Sequence, residues 1–268
     1  MSNPLDELKG NQLFRKLRHS VGRAIADFNL IEEGDRVAVA VSGGKDSYTL
    51  LLLLAELRRR APISFEIVSV TIDSGYPGFS TDLIEEFVTS RGIIAHIEKT
   101  NHFEIINEKL RPGSSYCSIC ARFKRGALYD VANSLGCNKL ALGHHSDDFI
   151  ETLLLNQFFV GSLKAMSARM LADNGVTTVI RPLVYVAEAD IISFARNVAL
   201  PVAPCCCPMS GTVDLQRKRM KNLLKELEKD IPHIKNSLLK ALSNVHPRHL
   251  LDSSLVRDNI NIVNEVNN

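Results

Sequence analysis

The sequence predicts an α/β fold: a doubly wound parallel sheet of about five strands, with an N-terminal helix and a helical C-terminal segment. Apolar runs of strand length alternate with helical patterns, at a spacing that leaves room for crossover helices between parallel strands. The first run also passes through two adjacent glycines straight into a helix, at the sheet end where ligands collect in such folds. Taken in order, Leu13, Leu17, Val21, Ala24, Ile25 and Phe28 recur at three- and four-residue steps, so residues 11–30 read as an amphipathic helix. Val37 to Val41 is a strand, and Tyr48 to Leu54 opens a helix ending near Arg58-Arg59-Arg60, cations that suit a helix C-terminus. Phe65 to Ile72 is a second strand, followed by a helix over 81–91 closed by Gly92, a short strand over 93–97, and a helix over 118–135 closed by Gly136. Lys139 to Leu142 is a fourth strand, Phe149 to Phe158 a helix, Val176 to Ile180 a fifth strand and 187–198 another helix. A proline- and cysteine-rich loop and a charged helical stretch over 214–228 follow, and the last 20 residues show no clear period. The expected organisation is a helical extension over 1–34, a nucleotide-binding domain over 35–200, and a cysteine loop with a helical segment over 201–268 packed on the same domain.

With 45% hydrophobic residues, the 268-residue chain can bury one substantial core. No stretch approaches the roughly 18 uncharged apolar residues of a membrane span. Met1 to Asp6 lacks a charged-then-apolar secretory pattern, so a cytoplasmic protein without a membrane association is expected. Net charge is only +2, so any nucleic-acid partner must be argued from local patches.

The turn Ser42-Gly43-Gly44-Lys45-Asp46-Ser47 carries the clearest chemistry. Adjacent glycines let backbone N–H groups converge on an anion, and the following helix presents its unpaired N-terminal donors to the same point. Phosphate is the expected guest. A Walker A loop is excluded because Val39 stands where it needs glycine and Asp46 where it needs Ser or Thr. The dinucleotide fingerprint is absent as well.

Gly143-His144-His145-Ser146-Asp147-Asp148 caps the fourth strand, and Glu151 follows one turn later. Three carboxylates beside a phosphate site suit magnesium; the competing reading is that they complement the N-terminus of a helix. His144 and His145 read as packed or hydrogen-bonded side chains, since no second histidine stands at helical spacing for a metal.

Six cysteines in a cytoplasmic chain point to a metal site, a redox pair or a nucleophile. Cys117 and Cys120 form C-x-x-C at a helix start, where thiolates are favoured, while Cys205, Cys206 and Cys207 are contiguous between Pro204 and Pro208. Neighbouring side chains of an extended segment alternate in direction, so the triple supplies one ligand, or at most Cys205 with Cys207. Spacing leaves a four-thiolate zinc site and a three-thiolate cluster with an open iron both standing. Cys137 reads as a buried small hydrophobe. Arg122, Lys124 and Arg125 after the C-x-x-C, and Arg217, Lys218, Arg219 and Lys221 after the triple, place cations where a polyanion could cross the cysteines.

The turn after the first strand resembles the pyrophosphate loop of enzymes that cleave ATP between the α and β phosphates. Together with Ala24 to Asn29, Cys117 to Cys120, Gly143 to Asp148, Arg181-Pro182-Leu183 and Pro204-Cys205, it makes most of the chain similar to the tRNA 2-thiocytidine synthetase family. That resemblance implies ATP bound by Ser42, Gly43, Gly44, Lys45, Asp46, Ser47 and Gly143, with magnesium, and catalytic roles for Lys45, Lys124 and Asp148. It also implies a [4Fe-4S] cluster on Cys117, Cys120 and a third cysteine, leaving one iron free to hold sulfur. Cys205 follows Pro204 as the family pattern asks, but Pro208 replaces the family's next cysteine and leaves the third ligand open among Cys205, Cys206 and Cys207. The implied reaction is adenylation of a cytidine O2 in the tRNA anticodon loop, at position 32, then sulfur transfer to give 2-thiocytidine. A homodimer and a cysteine desulfurase as sulfur donor are implied partners. The alternatives are a thiolase that uses a cysteine persulfide or disulfide with zinc, a lysidine-forming ligase, or a non-enzymatic ATP-binding RNA module.

Overall fold

In the computed structural model, which describes residues 4–110, 116–202 and 215–254, the apolar runs become a six-stranded sheet. Its strands are β1 (Arg36–Ala40), β2 (Glu66–Asp73), β3 (Ile94–Lys99), β4 (Lys139–Ala141), β5 (Arg169–Leu171) and β6 (Thr178–Ile180), in the order β3-β2-β1-β4-β6-β5. Every pairing is parallel except that of β5 with β6. The five parallel strands are those expected from the sequence. The extra strand β5 belongs to a hairpin whose turn is held by the Asn174 side chain, which accepts from the Val176 and Thr177 amides at 3.1 and 3.0 Å, with Gly175 at φ +69°.

Chain direction across the sheet reverses at β1. From β1 the chain moves outward to β2 and β3, then crosses back to place β4 on the other flank of β1, with Val39 level with Ser69 on one side and Ala141 on the other. The loops leaving β1 and β4 therefore open side by side at the carboxyl edge, the crevice in which open α/β sheets bind ligands.

The helices of the first compact unit, Met1–Arg219, are α1 (Gln12–Phe28), α2 (Lys45–Arg60), α3 (Asp82–Thr89), α4 (His102–Lys109), α5 (Tyr116–Ser134), α6 (Ser146–Leu155) and α7 (Glu188–Asn197), with the start of α8 (Leu215–Asp230). Helix α1 begins at Asn11, whose side chain accepts from the Phe14 amide at 2.9 Å, and ends at Asn29 in the left-handed region. Leu50 to Ala55 of α2 are all buried, because α2 packs on β1 and β2 and is itself covered by α1 and α7. Ala38, Val68, Val70, Leu140 and Val179 pack with Val131 and Ala132 of α5, while the alternate positions Val37, Val39 and Ile67 are buried on the opposite face. Cys137 lies in the α5 cluster as the buried small side chain expected of it, and burial raises its thiol pKa.

Helix α4 has no counterpart among the expected elements. Arg59 and Arg60 do more than complement a helix end: with Arg18 they pair with Glu56, a carboxylate left 1% exposed. The second unit, Met220–Asn268, holds the rest of α8 and α9 (Ile234–Ala241), with Lys235 Nζ 3.1 Å from Glu228. Cys205, Cys206 and Cys207 lie outside the described residues, as does most of the patternless tail, and Cys117 is described by its backbone alone.

Candidate functional site

The turn from β1 into α2 is shaped by its small residues. Gly43 sits at φ +79°, and Gly44 occupies the N-cap of α2 without any side chain capping the first turn. The Ser47 hydroxyl donates to the Gly44 carbonyl at 2.8 Å and accepts from the Ser42 amide at 3.2 Å, closing the loop on itself. The uncapped helix end directs its partial positive charge into the crevice, at the turn where the sequence led an anion to be expected.

Lys45 extends from the first turn of α2 to Asp46 Oδ2 at 3.0 Å and Glu188 Oε1 at 3.2 Å. Burial works to lower its pKa, but the Asp46 and Glu188 carboxylates outweigh that and hold it above the usual lysine value, so the cation persists at neutral pH. Asp46 Oδ1 is buried and has no hydrogen-bond partner, with His145 Nε2 3.8 Å away.

The β4 loop presses on this turn. A Cβ added at Gly143 would stand 3.2 Å from the Asp46 carbonyl carbon and 3.3 Å from the Ser47 nitrogen, so only glycine lets the two loops meet this closely. Overpacking costs about 1–3 kcal/mol. If the turn holds ATP as the family resemblance implies, Gly143→Ala is expected to weaken that binding roughly tenfold. Unchanged ATP affinity would show that the β4 loop does not shape the phosphate turn.

Downstream of Gly143 the polar side chains are engaged. The Asp148 side chain accepts from the His145 amide at 2.9 Å, capping α6, and its other oxygen lies 3.4 Å from Arg217 Nη1. Asp147 accepts from the Glu188 amide at 2.8 Å, and Glu151 is 1% exposed with Arg217 3.9 Å away. Two of the three carboxylates weighed for magnesium thus serve as helix-end and loop-bracing groups, and no group of three His, Cys, Asp or Glu among the described residues is arranged to hold a metal ion. His145 is buried between Asp46 and Asp148 with its Nδ1 lacking a hydrogen-bond partner, and His144 Nδ1 accepts from Arg181 Nε at 3.3 Å, so the first is packed and the second hydrogen-bonded.

Burial first, and then the Arg181 guanidinium, push His144 down to about 4. Unfolded, it would take up a proton near its ordinary 6.5. Its contribution to stability is therefore complete above pH 6.5 and is lost as pH falls through that value toward about 4. At pH 5 the loss is on the order of 2 kcal/mol. The melting temperature is expected to fall on acidification from neutral pH, and to fall less steeply in His144→Asn; equal slopes for the two proteins would contradict this.

On α5, Cys120 is a partly exposed thiol whose Sγ lies 3.0 Å from the Tyr76 hydroxyl. The Tyr116 hydroxyl donates in turn to Tyr76 at 3.4 Å. Lys124, one turn beyond Cys120, places its Nζ 5.5 Å from the centre of the Tyr76 ring. Burial, reinforced by the contacts with Cys120 and Tyr116, raises the Tyr76 pKa far above that of free tyrosine.

Residues 13–202 match the PP-loop domain family. The tRNA-cytidine(32) 2-sulfurtransferase of Pelobacter propionicus is 72% identical over 249 residues, 93% of each chain. The protein belongs to the tRNA-cytidine sulfurtransferase family of PP-loop enzymes. The enzyme of the same name from Geobacter metallireducens is 66% identical over 94% of this chain and 98% of its own. Among solved structures, the U34-tRNA thiolase NcsA from Methanococcus maripaludis, with its [4Fe-4S] cluster, shares the fold at a TM-score of 0.69 and 22% identity, over 87% of this chain and 78% of its own.

In this PP-loop enzyme the sequence-derived site residues fall into two described groups. Ser42 to Ser47, Gly143 and Asp148 gather at the β1 and β4 loops, while Cys120 and Lys124 meet around Tyr76. Arg181 joins the first group through His144, and its pKa is lowered chiefly by burial. Sequence reasoning missed Glu188 and Tyr76. Glu188 opens α7, 143 residues from its partner Lys45, and nothing local marks it. Tyr76 carried a signal that was not used: it stands in Gly75-Tyr76-Pro77-Gly78, a turn cluster immediately after a strand.

Proposed function

We propose that the protein thiolates cytidine 32 of tRNA to 2-thiocytidine, using ATP to activate the base and releasing AMP and pyrophosphate. The observation that carries the reading is an uncapped PP-loop helix end with Lys45 beside it, in a chain 72% identical to a tRNA-cytidine(32) 2-sulfurtransferase.

The loop amides and the α2 N-terminus hold the β and γ phosphates, directing the α phosphorus toward the base. Cytosine O2 forms the new bond to the α phosphorus as the bond to the bridging oxygen breaks and pyrophosphate leaves. Lys45, kept cationic by its carboxylate neighbours, neutralises the charge that develops on the departing group. Magnesium commonly binds through one or two carboxylates plus substrate phosphates. The buried, unpartnered Asp46 Oδ1 is the donor that supports such an ion here. Asp148, fixed by the His145 amide, and Lys124, steadied by the Tyr76 ring, are the side chains assigned to the reacting base. The second step adds sulfur at C2 and expels AMP, which carries away the former O2.

Thiolates suit an iron–sulfur cluster. The free, partly exposed Cys120 thiol, one helical turn from Cys117, supports these two as ligands, with a third from Cys205 to Cys207. When bound, the cluster supplies the centre at which sulfur is held before transfer. A cysteine desulfurase as sulfur source, a homodimer and a cytoplasmic location belong to the same reading; among the described residues no helix is long and apolar enough to cross a membrane.

Substrate choice is tested by AMP release on two tRNA transcripts that differ only in cytidine or uridine at position 32. AMP is expected with the cytidine transcript alone; equal release from both would overturn the assignment of the base.

A further inference from the structure

We infer that Tyr76 is a positioning residue of the sulfur-transfer centre: its hydroxyl donates a hydrogen bond to Cys120 Sγ, while its ring supports Lys124. The inference rests on the reading of Cys120 as a cluster ligand and extends it to a side chain that the reading does not require.

The sequence around Tyr76 fixes it firmly. β2 ends at Asp73, whose side chain accepts from the Gly75 amide at 3.0 Å, and Gly75 is at φ +75° with the Thr100 carbonyl 3.3 Å from where a Cβ would stand. Tyr76, Pro77, Gly78 and Phe79 then form a turn closed by the Phe79 amide on the Tyr76 carbonyl at 3.1 Å, with Gly78 at φ +79°. Proline followed by a glycine of positive φ is the composition of a type II turn. The Tyr76 ring is 7% exposed, packed with Ile106 and Tyr116, and centred 5.3 Å from the Phe103 ring. A ring held in this way presents its hydroxyl in one direction.

The direction of the proton follows from the charge state of Cys120. Tyr116 donates to the Tyr76 oxygen at 3.4 Å, and Cys120 Sγ stands 3.0 Å from the same hydroxyl, a contact in which either atom can donate while Cys120 is a thiol. A metal-bound cysteine is a thiolate and can only accept. Tyr76 therefore supplies what a ligating Cys120 needs, and the arrangement stands before any metal arrives. A hydrogen bond to a ligating sulfur withdraws negative charge and favours the reduced cluster, raising its reduction potential. The Lys124 ammonium over the same ring adds positive charge on that side.

The test compares anaerobically reconstituted wild type, Tyr76→Phe and Tyr116→Phe, reading iron content and midpoint potential by spectroelectrochemistry. Tyr76→Phe keeps the ring, and with it the packing and the seat of Lys124, so it deletes the hydroxyl alone. The expected result is a more negative potential in Tyr76→Phe at unchanged iron content, with a smaller shift of the same sign in Tyr116→Phe, whose removal weakens the donor from behind. Should Tyr76→Phe fail to fold, the Tyr116→Phe shift still decides. Wild-type potentials in iron-loaded variants would overturn the role of Tyr76 while leaving the cluster reading intact. A wild-type protein that takes up no iron would overturn both.

Discussion

Lys45→Ala is expected to lower ATP-to-AMP turnover roughly 100- to 1,000-fold, the usual cost of deleting a group that stabilises developing charge. The size follows from what surrounds the ammonium. Lys45 lies between Asp46 Oδ2 and Glu188 Oε1 at 3.0 and 3.2 Å, and is held above its ordinary pKa despite half burial. Removing it withdraws the cation from the departing pyrophosphate and leaves two carboxylates facing the phosphates unscreened. The second effect adds repulsion to the first, so ATP binding should weaken as well as turnover. Iron content should be unchanged, because Lys45 and Asp46 lie on α2 and Glu188 on α7, whereas the cysteines lie elsewhere in the chain. Chromatographic assay of AMP, with iron measured on the same samples, checks both parts. Near-normal AMP formation by Lys45→Ala would remove the loop lysine from the mechanism.

The second large effect is expected at Cys120. Cys120→Ser should lose most bound iron and acid-labile sulfide and all detectable 2-thiocytidine, while ATP affinity stays close to wild type. Serine preserves the size and the hydrogen bond to Tyr76, so a purely structural cysteine would tolerate the change. Its oxygen is a poor substitute for thiolate on iron. Zinc without sulfide in the wild-type protein would instead favour the persulfide alternative, and thiolation surviving in Cys120→Ser would exclude Cys120 from both schemes. Single Cys205→Ala, Cys206→Ala and Cys207→Ala variants, assayed for iron in parallel, identify the third ligand.

The turn from β1 into α2 was legible because its determinants are local. Two glycines between an apolar strand and an apolar helix specify the β1 turn within about a dozen residues, and the alternation of elements places the β4 loop beside it. The carboxylates after β4 show where such reading runs out. Sequence favoured magnesium ligands over helix caps because the carboxylates stand beside the glycine turn, and the Asp148 bond to the His145 amide and the Asp147 bond to the Glu188 amide show these two as cap and brace. Lys45 with Glu188, and Cys120 with Tyr76, lie 143 and 44 residues apart in the chain. Neither pair follows a local period, so the fold alone brings its members together. The β5 hairpin was missed for a different reason: Asn174-Gly175 is a strong turn signal, but its flanking run Arg169–Leu171 is short and entirely exposed. Edge strands of that kind carry little of the apolar pattern by which strands are recognised.

On the proposed mechanism, ATP cleavage and sulfur insertion are two halves of one reaction on one base. The most direct test measures AMP and 2-thiocytidine together, in a single anaerobic reaction of the iron-loaded protein with ATP, a sulfide source and cytidine-32 tRNA. Equal amounts of the two products are expected, with neither formed when ATP or tRNA is left out. AMP accumulating at full rate with sulfide present and no 2-thiocytidine in the digested tRNA would contradict it.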